Sequence, residues 1–141
     1  MQDSVFTKII KGEIPCYKIY EDAKTFAFLD IEPFFPGHTL VVPKTQIDQF
    51  DDLSDEDYEA LFHSVKKISK HLRTTLGVKR TIVQVFGFDV PHVHVHLMPA
   101  NEGRQFFQAA ASHLTDEPYP YQPTKEALAE LAKRLRMPDD L

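Results

Sequence analysis

Residues 92–97 alternate without a break: His, Val, His, Val, His, Leu. In an extended strand, successive side chains leave on opposite faces. Such a segment has an apolar side, made by Val93, Val95 and Leu97, and an imidazole side, made by His92, His94 and His96. The apolar side must be covered. The strand therefore needs a sheet to join and a second layer packed against it.

The second layer is legible at 54–76. Ser54 is a good helix N-cap, and Asp55, Glu56 and Asp57 complement the positive end of the dipole. Tyr58, Leu61, Phe62, Val65, Ile68, Leu72 and Leu76 recur at three- and four-residue steps as one apolar stripe, and Gly77 stops the helix. That stripe reads as core. The acidic run 51–57 reads as a helix start facing water.

The remaining sheet comes from short β-rich runs. "YKIYED" and "KTFAFLD" form a hairpin about Glu21-Asp22-Ala23, "HTLVVP" makes a third strand after the loop "EPFFPGH", and "RTIVQVF" a fourth. A short helix opens the chain in "DSVFTKIIKGEIP", capped by Asp3 or Ser4 and ended by Gly12 and Pro15. "PTKEALAELAKRLRM" closes it as a helix, with Leu128, Leu131 and Leu135 along one side. Between Pro99 and Pro123 the chain, with its "DEPYPYQP", is expected to be irregular. The architecture is then α+β: an antiparallel sheet of about five strands with one long helix on a face. At 141 residues the chain forms one domain, 1–141.

Composition excludes several classes. No apolar run approaches the roughly 18 residues needed to cross a bilayer. The polar start "MQDSVFTKIIKGEIP" does not read as a secretory signal, and the single Cys16 makes no internal disulfide, so a cytoplasmic setting is expected. A net charge of −5 with mixed signs argues against a nucleic-acid polymer as partner. A small anion needs only a local cluster of donors.

Three readings compete for the histidines. A structural ladder explains little, because Ser or Thr would serve a solvated sheet face with higher β-propensity. A shared metal fits poorly: at about 3.3 Å per residue, His92 and His96 are roughly 13 Å apart along the backbone. Neighbours at i and i+2 can hold an ion only with ligands from elsewhere. The third reading is phosphorus chemistry: one neutral imidazole attacks while its partners orient it and stabilise charge on the oxygens. His63, His71 and His113 read as surface histidines.

"HVHVHLMP" resembles the signature of the histidine triad family. "FTKIIKGEIP", "YED", "AFLDIEP" and "PGHTLVVPK" are similar to that family's other segments and stand in the same order, so the likeness covers a core of roughly residues 4–100, with 101–141 as a tail. The resemblance implies an enzyme, a nucleotidyl hydrolase or transferase. It would cleave at the α-phosphate of a nucleoside phosphoramidate, dinucleoside polyphosphate or related conjugate, through a nucleotidyl-histidine and without a cofactor. The partner would be a small purine nucleotide of adenosine type, and the chain would pair as a homodimer through the long helix and a sheet edge. His94 would be the nucleophile, His96 a phosphate contact, His92 an orienting residue, and His38 a support from a neighbouring strand. Asp30 would accept hydrogen bonds from the ribose hydroxyls. Phe6, Ile9, Phe28 and Ile31 would wall the base, although ordinary core packing is an equal reading for those four. Gln84 falls at the place of a phosphate-contacting Asn.

Two departures stand out. Where many members carry Gly-Gln-Ser/Thr before the first triad histidine, this chain has "GFDVPH" in a shorter loop, which removes two donors and adds Asp89. That keeps open an alternative: a nucleotide-binding module with little or no turnover. Some bacterial members hold a structural metal with Cys-x-x-Cys near the start and a histidine after "PK". Ser4, Thr7 and Gln46 stand at those places here, so no metal is expected.

Overall fold

A computed structural model describes residues 1–115 and 121–141. Helix α1 (Val5–Ile10) is capped by Ser4, whose hydroxyl accepts from the Thr7 N–H, so of the two candidate caps Ser4 is the one used. Strands β1 (Lys18–Glu21) and β2 (Thr25–Leu29) form the expected hairpin and lead to β3 (Thr39–Pro43). Helix α2 (Asp55–Leu76) starts at the Ser54 cap and ends at Gly77 in the left-handed conformation. Strands β4 (Arg80–Gln84) and β5 (Val95–Ala100) follow, then helices α3 (Gly103–Thr115) and α4 (Lys125–Leu135). The sheet order is β1-β2-β3-β5-β4, every neighbour antiparallel.

Strands β2 and β3 are buried on both faces. On one face Ala27, Leu29, Val41, Val95 and Leu97 pack against Leu61, Val65, Ile68 and Leu72 of α2 and Leu128 and Leu135 of α4. On the other, Phe26, Phe28, Leu40 and Val42 pack with Phe6 of α1. Period-two alternation assigns each strand residue to a face, and the imidazole of His96 falls on the α1 side. Most of the α2 stripe is core as expected. Tyr58 is the exception at 43% exposure, because it sits in the first turn and stacks with Phe50 and Phe62 beyond the sheet.

Two expectations are corrected. The stretch after Pro99 is not irregular throughout: residues 103–115 form α3. Phe106, Ala109, Ala110 and His113 recur at helical spacing; Ala109 is buried and Phe106 packs beside Phe35 and Met98. Of the Pro-rich segment, residues 116–120 lie outside the described residues. Second, the triad segment is not strand throughout. β5 begins at Val95, so His92 and His94 precede it. The ladder stops because Pro43 has no N–H to give, and its carbonyl is taken by the His92 ring at 2.8 Å. Val93 N–H bonds instead to the Ile47 carbonyl. The alternation nonetheless survives, with Val93 in the α2-side core and the rings on the other side.

Beyond α4 the chain lies along β1: Met137 N–H bonds to Ile19 O and Asp140 N–H to Glu21 O. That covers one edge of the sheet. At the other edge, β4, Val83 is 47% exposed. No helix among the described residues is long and apolar enough to cross a membrane.

Gly37 sets up the entry to β3. Its φ is +88°, and a Cβ there would lie 2.7 Å from Leu76 Cδ1 and 3.3 Å from Pro99 Cγ. The left-handed conformation alone costs about 1–2 kcal/mol for an L-residue. Gly37→Ala is expected to lower stability by about 2 kcal/mol once crowding is added, read as a lower urea midpoint at unchanged slope.

Candidate active site

The imidazoles of 38, 92, 94 and 96 meet between α1 and the sheet, and hydrogen bonding assigns a proton to each. His94 Nδ1 lies 2.8 Å from the His92 carbonyl. A carbonyl only accepts, so Nδ1 carries the proton and Nε2 carries the free lone pair. His92 follows the same rule: Nε2 donates to Pro43 O at 2.8 Å, and Nδ1 accepts from the Ser4 hydroxyl at 2.7 Å. His38 Nδ1 accepts the Phe34 N–H at 3.0 Å, which leaves its proton on Nε2. That proton is given to His96 Nδ1 at 2.9 Å, so the His96 proton sits on Nε2. Two adjacent ring nitrogens thus face outward in complementary states: a lone pair on His94 and an N–H on His96.

Burial favours the neutral form of three of these rings, His38, His92 and His96. It drives the pKa of His38 to about 3, with a smaller push from His113. It drives His96 to about 3 as well, helped by His38 and His94 and opposed by Asp30. The His92 pKa is also lowered by burial, against the pull of its bond to the Pro43 carbonyl. Aromatic rings frame the cluster: Phe6 meets His94 edge-on at 4.9 Å between centroids, and Phe86 meets His96 at 5.0 Å. His94 and His96 are themselves 5.2 Å apart.

The other expected site residues divide. Asp30 lies beside the cluster, its Oδ2 3.5 Å from His38 Nε2 and its Oδ1 accepting the Glu32 N–H. Phe6 and Phe28 are core residues whose centroids lie 5.6 Å apart, and Ile9 packs half-buried against them. Ile31 projects from the loop at 71% exposure. Gln84 is the cross-strand partner of His96, and its Oε1 is the one buried side-chain polar atom without a hydrogen-bond partner among the described residues. Asp89 and Phe88 are exposed, Phe88 at 95%. Of the surface histidines, His71 ties α2 to α4 through Leu135 O at 2.9 Å, and His113 stacks on Phe34 at 4.3 Å.

Sequence reasoning missed Phe86 and the Phe34 N–H. A backbone donor has no residue-type signature, and Phe86 reads as one more β-former at the end of a strand. The roles of Ser4, Thr7 and Gln46 were also hidden. Each sits far along the chain from His92; their match to the metal-ligand places of some relatives hinted at a shared location but not at a link to His92.

Neither possible metal position fits one. Ser4, Thr7 and Gln46 do converge on His92, but as two hydroxyls and an amide already bonded to one another, a poor donor set for zinc. The triad nitrogens do not converge. Among the described residues, the one set of three possible ligands within 4.8 Å of one another is Asp30, His38 and His96. There a proton fills the space between the two imidazoles, whose nitrogens point straight at each other.

Comparison with known proteins identifies the family and the fold. Residues 11–103 match the HIT domain model. The chain is 35% identical over 140 residues to Protein hit of Bacillus subtilis, covering 95% of each. It is 40% identical over 96 residues to an adenosine 5'-monophosphoramidase of Schizosaccharomyces pombe, covering 67% of this chain and 72% of that one. Its fold superposes with a TM-score of 0.77, at 31% identity and 95% coverage of both chains, on a Hit-like protein from Bartonella henselae described as involved in cell-cycle regulation. The chain belongs to the histidine triad family.

Proposed function

We propose that this chain is a nucleotidyl hydrolase or transferase acting at the α-phosphate of a nucleoside phosphoramidate, dinucleoside polyphosphate or related conjugate, with His94 as nucleophile. The observation that carries the reading is the paired state of His94 and His96. An accessible lone pair on a neutral ring stands beside an N–H that can bond a phosphoryl oxygen. In the first step His94 Nε2 attacks phosphorus as the bond to the leaving group breaks. The departing amine or oxygen carries off the electron pair and takes a solvent proton. In the second, water attacks the phosphorus and gives up a proton to solvent as the bond to Nε2 breaks, and the nucleoside monophosphate leaves.

His96 Nε2–H then bonds a non-bridging oxygen in both steps, and His38 behind it fixes the His96 tautomer without gaining charge. Asp30 would receive the ribose diol, since a carboxylate presents paired acceptors. Ile31 and Ile9 would border the base, with Phe6 and Phe28 behind them. Gln84, with its amide not fully bonded, would contact the phosphate or leaving group. A second copy would pair along the uncovered β4 edge and α2. In support, one relative at 40% identity is named for an adenosine 5'-monophosphoramidase activity.

The alternative, a nucleotide-binding module with little turnover, draws on the loop 87–91, which presents Phe88 and Asp89 to solvent. Intact-mass measurement after rapid mixing with an adenosine phosphoramidate separates the two. A transient nucleotidyl adduct on the native chain, with release of monophosphate, is the expected result. Tight binding without adduct or product would leave the module.

A further inference from the structure

We propose that Ser4, Thr7 and Gln46 are positioning residues that seat the ring of His92 through its Nδ1 and, through the His92 carbonyl, set the aim of His94. The inference rests on His94 being the attacking ring.

His92 is fully buried and makes two ring bonds, of which the one to Pro43 O consumes its only proton. Its Nδ1 therefore needs a donor, and Ser4 Oγ at 2.7 Å is the nearer of two hydroxyls, with Thr7 Oγ1 at 3.4 Å. Ser4 has one hydroxyl proton. Its oxygen accepts the Thr7 N–H at 3.0 Å, and of the two acceptors in reach its proton takes the nearer, His92 Nδ1 at 2.7 Å against Thr7 Oγ1 at 3.3 Å. Thr7 Oγ1 donates to Gln46 Oε1 at 2.7 Å, which also accepts the Ser4 N–H at 2.7 Å. The Gln46 amide nitrogen closes the chain on Gln2 O at 2.9 Å. Each proton has one place, so the ring of His92 has one orientation and one tautomer. The His92 carbonyl holds His94 Nδ1–H, and with it the direction of the free lone pair on the far side of that ring.

A helix cap alone would not need this arrangement. Capping α1 requires only an acceptor for Thr7 N–H, which Asp supplies as well as Ser. Serving His92 Nδ1 requires a donor in addition, which a carboxylate lacks. Three variants therefore separate the roles. Ser4→Thr keeps acceptor and donor, Ser4→Asp keeps the cap and loses the donor, and Ser4→Ala loses both.

The test measures kcat and KM on an adenosine phosphoramidate for these variants, together with two-bond nitrogen–proton NMR correlations of ¹⁵N-histidine-labelled protein. Expected is a fall in kcat of about tenfold to a hundredfold for Ser4→Asp and Ser4→Ala, the scale of a misaimed reacting group, with KM within about threefold. Ser4→Thr should return kcat to within about threefold of native. In the spectra, His92 should show the Nε2–H form alone in the native chain, gain a proton on Nδ1 in Ser4→Asp, and in Ser4→Ala keep Nε2–H on Pro43 O while its Nδ1 resonance moves to that of an unbonded nitrogen. Native kcat in a folded Ser4→Asp chain overturns the proposal. So does an unchanged His92 Nδ1 resonance in Ser4→Ala, which remains decisive if Ser4→Asp does not fold. A native chain with no turnover would overturn the hydrolase reading instead, and the His92 spectra would still decide the positioning chain.

Discussion

Turnover of an adenosine phosphoramidate falls by about 10⁴-fold or more in His94→Ala, the scale seen when a nucleophile is removed outright. Nucleotide affinity stays within a few-fold, because the proposed ribose and base contacts lie on α1 and the 30–31 loop rather than on this ring. His96→Ala is expected to cost less, about 10²- to 10³-fold, as for loss of one donor to a developing oxyanion. The order of the two effects is the informative part. If His94 attacks and His96 only stabilises charge, His94→Ala abolishes the covalent adduct and His96→Ala slows its formation. A His94→Ala chain that keeps more than about a hundredth of native turnover would mean that another group attacks phosphorus.

Acidification from neutral pH to pH 5 destabilises the fold while most carboxylates are still ionised. The pKa values of His38 and His96 are about 3 in the folded chain against 6.5 for a free imidazole, because both are buried. Below pH 6.5 the unfolded chain takes up protons that the native chain refuses, so stability is complete above that pH and is lost as pH falls toward 3. Between pH 6.5 and 5 the loss is on the order of 1–2 kcal/mol per ring, and His92, lowered in the same direction, adds to it. Against a total stability of about 5–15 kcal/mol for an ordinary domain, this is a large fraction. Urea unfolding at half-unit steps across that range checks it. The midpoint should fall steadily in the native chain, and less steeply in His38→Asn, which removes one of the rings. A flat profile would mean that the imidazoles are already charged in the folded protein, and the assigned tautomers would fail with it.

Some of this was readable from the chain. Helix α2 combines a cap, acidic first-turn residues, a regular apolar stripe and a terminal glycine, all local signals pointing the same way, and its boundaries agree with those of the structure. The β1–β2 hairpin and α4 follow the same logic. Helix α3 was hidden because the neighbouring prolines dominate its composition. Ala109 is its one buried residue, with Phe106 half-buried beside it, a weaker stripe than the three leucines of α4. The start of β5 was misplaced because alternation continues through His92 and His94 after the hydrogen-bond ladder has ended. Periodicity reports which way side chains point and is silent on which backbone groups are paired.

The site shows the same division. Residue type and spacing along one short segment determined that three imidazoles would share a side and that an apolar layer would lie behind them, since both follow from the two-residue repeat of extended backbone. The proton on the rings of His38, His92 and His96 was decided only by the fold. His94 takes its proton partner from the His92 carbonyl in the same segment, but the other tautomers depend on groups that folding brings up: Pro43 and Ser4 for His92, the Phe34 N–H for His38, and His38 for His96. A neutral imidazole has two equivalent ways to hold its proton until a neighbour removes one. Those neighbours are brought together only when α1, the 30–38 loop and the sheet have packed.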